Sequence, residues 1–292
     1  MNNNFKLSNI SNEVGEILQN AKNPAIYSAH QLLHSRIINP KSFITFIGET
    51  SSGKSTLING IIKKSILPIS AAPTTGTITQ LLLSDTDKTE YYAINRNATI
   101  ELLDKEKFRY FTKNPDKEML RLCIELSAPD TESLGMNIFD TPGFNSIICE
   151  HEEILREFIP QSDVVILVVN YRVGFGVENK ELLNLISELF KQDVNMPVLL
   201  AINRCPIDSS IDNNRIKEIT DYASDSLHQK LCPFIINSIN PTSDQLDILP
   251  RNEKMWKEII RHANSIERDI IIERKVIILL LELIDNMILE CE

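Results

Sequence analysis

No basic run occurs anywhere in this 292-residue sequence, and its 30 Lys and Arg stand against 40 Asp and Glu, a net charge of −10. An acidic surface repels nucleic acid and anionic lipid, which disfavours non-specific binding to duplexes. The N-terminal stretch MNNNFKLSNISNEVG lacks the apolar core of a signal peptide. The most apolar segment, Val276 to Leu289, is broken by Glu282, Asp285 and Asn286. A membrane-spanning helix needs about 20 nearly uncharged residues, so this segment is a poor one. Five cysteines (Cys123, Cys149, Cys205, Cys232, Cys291) form no C-x-x-C pair and read as isolated thiols of a reducing compartment. The expectation is a cytoplasmic chain. Glycine is scarce too: nine residues, and six of them fall between Gly48 and Gly143. Where glycine is rare, a cluster marks backbone that a side chain would obstruct.

What is present is globular. Apolar residues make up 42% and charged residues 24%, and a chain of this length buries roughly three quarters of its unfolded surface. Apolar spacing from Phe5 to about Leu33 is loosely helical, with a break at Asn23-Pro24. Strand-like runs follow at 42–48, 77–83, 90–94, 121–126, 136–139, 164–169, 198–202 and 234–236. Helical stretches at 54–62, 152–158, 179–192 and 211–230 lie among them. This alternation predicts an α/β fold with a mainly parallel central sheet flanked by helices. Arg121–Leu126 and Met136–Phe139, joined by a polar turn, are expected to form a hairpin that supplies one antiparallel edge strand. After Gly176 there is no glycine and after Pro250 no proline, so 253–290 is expected as one helix of about 57 Å. Ile270, Ile277 and Ile284 repeat by seven, as do Leu281 and Ile288, which suggests a bundle seam; the alternative is a helix folded back over the sheet. The division expected is 1–40 as an N-terminal helical segment, 41–245 as the central domain and 246–292 as a C-terminal helix.

Three motifs carry chemistry. Gly48-Glu49-Thr50-Ser51-Ser52-Gly53-Lys54-Ser55, followed by Thr56, fits G-x-x-x-x-G-K-[ST] between a strand and a helix. Small residues there let backbone N–H groups curl around phosphate oxygens, and the helix N-terminus adds its positive end. Lys54 can reach the β- and γ-phosphates, and the Ser55 hydroxyl can ligate Mg²⁺. Asp140-Thr-Pro-Gly143 follows a strand. There an acid can hold Mg²⁺ through water, and the Gly143 N–H can meet a γ-phosphate. Between the two lies Leu67-Pro-Ile-Ser-Ala-Ala-Pro-Thr74-Thr75-Gly-Thr77, whose Thr75 can complete the Mg²⁺ shell and offer its carbonyl to attacking water.

In this order and spacing the motifs resemble the GTPase domain of the dynamin superfamily, in its bacterial dynamin-like branch. The most specific stretch runs from Asp140-Thr-Pro-Gly-Phe-Asn-Ser to Asp163-Val-Val-Ile-Leu-Val-Val-Asn170, and the likeness covers about Phe43 to Ser238. The resemblance implies GTP and GDP as ligands, Mg²⁺, hydrolysis faster when two such domains dimerise, and membrane remodelling or fusion. Helices before and after the domain would start a helical bundle. It implies phosphate and Mg²⁺ roles for Lys54 and Ser55, a switch role for Thr75, and a second switch at Asp140 and Gly143. Ser51 stands where the family helps coordinate a monovalent cation, K⁺ or Na⁺. Thr50 stands where eukaryotic members carry a water-orienting glutamine, and a threonine is shorter. Tyr171 to Glu178, with two glycines, resembles the family's trans-stabilising loop in position.

The base-reading motif departs from the family's [TN]-K-x-D. Here stands Asn203-Arg204-Cys205-Pro206-Ile207-Asp208. The planar Arg204 guanidinium can stack on a base as lysine does. Pro206 has no side-chain acceptor for guanine, and Asp208 substitutes if the loop bulges. Asn237 and Ser238 form a weaker base-edge loop. The implied partners are a second copy of the chain, a heteromeric dynamin-like partner, and membrane lipid reached indirectly or through other regions, with peripheral location at the inner membrane and no nucleic acid. The alternative to a mechanochemical GTPase is a weakly hydrolysing, nucleotide-dependent scaffold in a heteromeric complex. Five histidines show no metal-ligand spacing, and Trp256 reads as a packing anchor.

Overall fold

The computed structural model describes residues 2–19, 30, 33–34, 36–37, 42–69, 77–95, 99–114, 116, 118–144, 155–156, 159–190, 196–206, 211–237, 250–265 and 268–291. At the centre are β1 (Phe43–Ile47), β7 (Val164–Asn170) and β8 (Val198–Asn203), apolar runs buried almost throughout. Such runs suit parallel strands covered on both faces. Together with β2 (Thr79–Ser84), β3 (Glu90–Asn95), β4 (Ile100–Leu103), β5 (Met119–Ser127), β6 (Asn137–Asp140) and β9 (Pro233–Ile235) they form one sheet, ordered β4-β3-β5-β2-β6-β1-β7-β8-β9. Pairs β6–β1, β1–β7, β7–β8 and β8–β9 are parallel, so the expected α/β architecture is present.

The antiparallel edge is built differently from the hairpin expected. β5 and β6 do not pair. β2 lies between them, parallel to β5 and antiparallel to β6. The connection from Ser127 to Asn137 holds a 3₁₀ turn, Thr131–Ser133, whose Ser133 N–H donates to the Asp130 carboxylate at 2.8 Å. That turn carries the chain past β2, and Gly135 and Met136 bond to Leu83 on the way. β3 then joins β5 and β4 in antiparallel pairs.

Helices cover both faces. On one, α2 (Lys54–Ile62), α3 (Lys105–Lys113) and α6 (Pro250–Ala263) close a core that includes Leu57, Ile61, Leu81, Phe108, Ile138 and Ile166. On the other, α4 (Val177–Phe190) and α5 (Asn213–Leu227) close a second core around Val165, Leu167, Leu182, Ile202 and Ala223.

The C-terminal run is two helices, not one. α6 folds back over the sheet, burying Met255, Trp256 and Ile259, and the Trp256 Nε1–H donates to Asp130 at 2.9 Å. It ends where the Asn264 side chain donates to the Glu132 carbonyl and Ser42 Oγ donates to the Ala263 carbonyl. Those contacts fix the end of α6 against the domain, and a new helix, α7 (Arg268–Cys291), follows. α7 packs on α1 (Asn2–Gln19) through Val14, Leu18, Leu280 and Leu283. Of the heptad positions read from sequence, Ile284 packs against this seam, whereas Ile277, Leu281 and Ile288 are exposed, so the seam is offset from most of them. Both sequence readings hold in part: α6 folds back, and α7 forms a helix–helix seam. Among the described residues no helix is long and apolar enough to cross a membrane.

The N-terminal ends of β1 and β7 carry an ionic contact. Arg36, fully buried, donates to both carboxylate oxygens of Asp163 at 2.7 Å and to the Gln161 carbonyl at 2.6 Å. Asp163 also accepts the Phe43 N–H at 2.8 Å, and Lys275 of α7 donates to the Ser162 carbonyl.

Candidate nucleotide site

The opposite, C-terminal ends of the same strands bring together most of the residues singled out above. β1 runs into Gly48, whose φ of +153° and packing against the Val168 carbonyl, 2.3 Å from where a Cβ would stand, admit only glycine. Gly53, at φ +94°, opens α2, so the N-terminus of that helix faces the loop. Ser51 is exposed at φ +62°, and Thr50 and Thr56 are partly buried. Lys54 is buried, with Nζ donating to the Gly48 and Glu49 carbonyls at 2.9 and 3.0 Å. Burial pushes its ammonium down to about 8, against the pull of Asp140 and Glu49.

Asp140 closes β6 and is 1% exposed. Its Oδ2 accepts the Ser55 hydroxyl at 2.6 Å, while Oδ1 is buried with no hydrogen-bond partner among the described residues. Burial raises its carboxyl to about 6, opposed by Lys54 and by the Ser55 hydrogen bond. An orphaned anionic oxygen beside a hydroxyl is a donor set that suits a hard divalent cation. Ser52 Oγ is likewise buried, with no hydrogen-bond partner among the described residues. The residues present fit a Mg²⁺–phosphate group, which Ser55 and Asp140 would hold by oxygen and Lys54 and the loop N–H groups by hydrogen bonds to phosphate.

The two loops are closely fitted. The Phe144 N–H donates to the Gly48 carbonyl at 3.0 Å, and Glu49 pairs with Phe144 as a single parallel bridge. A Cβ on Gly143 would lie 2.4 Å from Thr50 Cα. Thr141 donates to the Phe46 carbonyl. Asn203, fully buried at the end of β8, donates from Nδ2 to the Ser52 carbonyl at 2.9 Å, tying the segment that follows β8 to the P-loop. Arg204 stands exposed at φ +60°. The Cys205 N–H bonds to the Ile236 carbonyl, which brings the segment beside Asn237. Thr75, Asp208 and Ser238 lie outside the described residues. Sequence reasoning missed one arrangement. The Glu49 carboxylate reaches the Asn179 N–H at the start of α4, and the only signal was a charge inside an otherwise small-residue loop.

Together these features define a P-loop nucleotide-binding α/β domain. The family model for the Dynamin family matches residues 44–203, and the chain belongs to that family. It is 24% identical over 270 residues to an uncharacterised protein of the xynA 3′ region in Caldicellulosiruptor sp. (strain Rt8B.4), covering 90% of this chain and 62% of that protein. It is 29% identical over 150 residues to dynamin-like protein A of Bacillus subtilis (strain 168), covering 50% of this chain and 12% of that one. Among solved structures it is similar to an oligomerised bacterial dynamin pair described in terms of long-range sensing and tethering of membranes. The TM-score is 0.58 at 16% identity, over 92% of this chain and 42% of that one, a likeness of fold. The chain spans less than two thirds of the length of these relatives.

Proposed function

We propose that this chain binds GTP with Mg²⁺ and hydrolyses it, and that two copies meet across their nucleotide sites to act on membranes. The observation that carries the reading is the buried Asp140 carboxylate beside the P-loop lysine, with one oxygen on Ser55 and the other without a hydrogen-bond partner among the described residues. A Mg²⁺ ion bound there would supply charge neutralisation on the phosphates. This chain's residues would do the rest: Lys54 and the 48–56 backbone hold the phosphates, and Gly143 offers its N–H. Asn203 fixes the base-reading segment, whose Arg204 and Asn237, with Asp208 and Ser238, would read the base. Thr75 places the attacking water, and Ser51 holds a monovalent cation. The domain division in this reading is a GTPase domain at 41–245 between helical segments 1–40 and 246–292. Location is peripheral at a membrane.

A second reading, a weakly hydrolysing scaffold that works with a heteromeric partner, is favoured by Thr50, too short to orient water as glutamine does. One experiment tests both. Phosphate release is followed as protein concentration rises, with and without Mg²⁺, for the wild type and Thr75→Ala. Specific activity that climbs with concentration and collapses in Thr75→Ala, while GTP still binds, supports the enzyme. Tight binding with flat, near-zero turnover supports the scaffold. No GTP binding at all refutes both.

A further inference from the structure

A carboxylate inside a phosphate-binding loop works against the ligand, because it places negative charge where a polyanion must sit. Glu49 is such a residue, and it is only 9% exposed. Its side chain reaches the start of α4. Oε1 accepts the Asn179 N–H at 3.2 Å, in the first turn of the 14-residue α4 (Val177–Phe190), where the helix end favours an anion. The same oxygen lies 3.4 Å from where a Cβ on Gly176 would stand. Its main chain meets the nucleotide machinery. The Glu49 carbonyl accepts from Lys54 Nζ and from the Ser52 N–H, and the residue bridges to Phe144 beside Gly143.

The loop between β7 and α4 is also held by contacts of its own, beginning with the Tyr171 N–H on the Asn203 carbonyl at 2.8 Å. Arg215 donates to the Val173 carbonyl at 2.9 Å, and Asn179 Nδ2 donates to the Gly174 carbonyl at 2.8 Å. Gly174 takes φ +67° against the Arg215 guanidinium, and Phe175 packs on Tyr222. The loop exposes Val173 and Val177. The Glu49 carboxylate thus joins the P-loop to this stretch from the nucleotide side.

We infer that Glu49 is a positioning residue: its carboxylate tethers the Tyr171–Val177 loop and the start of α4 to the P-loop, so that the loop follows the state of the nucleotide site. The chemistry rests on the guanine-nucleotide reading above; the tether itself does not. Lys54 leaves the Glu49 carbonyl when it turns to phosphate, and the Glu49 backbone shifts with it. A carboxylate anchored on a helix N-terminus passes that shift to the loop.

The test compares wild type, Glu49→Gln and Glu49→Ala. Gln keeps the length and one acceptor oxygen, whereas Ala removes the cap. Amide hydrogen exchange over residues 174–179 is measured without nucleotide, with GDP, and with GTP plus Mg²⁺. Steady-state kcat and KM are measured alongside. The tether predicts faster exchange at Asn179 in Glu49→Ala, and loss of the nucleotide-dependent change in exchange that the wild type shows. It also predicts a fall in kcat of about tenfold, the low end for a hydrogen bond to a charged group, with a smaller change in KM. Glu49→Gln restores most of both. Unchanged Asn179 exchange in a folded Glu49→Ala protein overturns the inference, as does a KM effect with kcat intact. If the wild type binds no nucleotide, the GTPase reading fails separately. Exchange in the nucleotide-free proteins still decides the tether.

Discussion

Replacing Asp140 by Asn should stabilise the nucleotide-free protein while destroying its response to Mg²⁺. Asn has nearly the shape of Asp and can still accept the Ser55 hydroxyl, so packing is kept and only the ionisation is removed. In the folded chain the Asp140 carboxyl titrates at about 6 against an ordinary 3.8. A raised folded pKa means that protonated Asp140 is tolerated and ionised Asp140 is penalised. Stability is lost as pH climbs from about 4 through about 6, and above that the penalty is full. The shift corresponds to about 3 kcal/mol at neutral pH, falling to roughly half of that at about pH 5. For a chain of this size Asp140→Asn should then melt about 3–5 °C above wild type at neutral pH, with a smaller advantage in mild acid. The assay is thermal unfolding by circular dichroism in EDTA, repeated with GTP and Mg²⁺. There the order should reverse, because the wild-type carboxylate gains a cation partner and the variant does not. A variant that melts at or below wild type in EDTA, or whose advantage does not shrink with acid, refutes the reasoning.

Lys54→Ala should weaken fluorescent GTP binding in equilibrium titration by roughly tenfold to a hundredfold, since one or more hydrogen bonds to charged oxygens are lost. The Lys54 ammonium titrates at about 8, a depressed value, so its charge is lost as pH rises through that point. Wild-type GTP affinity should accordingly fall above about pH 8. Arg36→Met strands the buried Asp163 and should cost about 3–5 kcal/mol in urea unfolding, with much of the loss recovered when Asp163→Asn is added. Asp208→Asn should weaken GTP and favour xanthosine triphosphate in competition binding if Asp208 reads guanine; wild-type behaviour would move base reading to Asn237, Ser238 and the backbone.

The sequence made the nucleotide end of the fold legible because its chemistry is local. Gly48 to Ser55 and Asp140 to Gly143 are short runs in which identity, spacing and the flanking strand all appear in adjacent letters. The sheet interior was legible for a similar reason, since β7 and β8 are apolar runs that only their closing asparagines end. The hairpin expectation failed because strand order is a long-range property. Nothing in Arg121–Leu126 or Met136–Phe139 says that β2, some forty residues earlier, slots between them. The break between α6 and α7 was hidden because no glycine or proline marks it. It is set by tertiary contacts of Asn264 and Ala263 with residues far away in sequence. The seam of α7 was misplaced for a related reason: a heptad count gives a period, but the partner helix chooses which stripe is buried.

The two ends of β1 and β7 show how the structure separates a structural charge from a functional one. Within the sheet the ladder satisfies backbone groups, but at strand ends carbonyls are left over, and in both places a cation takes them. At the base, Arg36 takes the Gln161 carbonyl and Lys275 the Ser162 carbonyl; at the nucleotide end, Lys54 takes those of Gly48 and Glu49. The carboxylates differ. Asp163 has its two oxygens filled by Arg36 and the Phe43 N–H, so that carboxylate is fully partnered. Lys54 and Asp140 make no ion pair with each other, and Asp140 keeps one buried oxygen with no hydrogen-bond partner among the described residues. A buried cation and a buried anion held side by side, each short of a full partner, cost stability unless something else completes them. A phosphate with its Mg²⁺ carries both missing charges. This electrostatic incompleteness, more than the motif letters, makes the C-terminal end of the sheet the place where chemistry is to be sought.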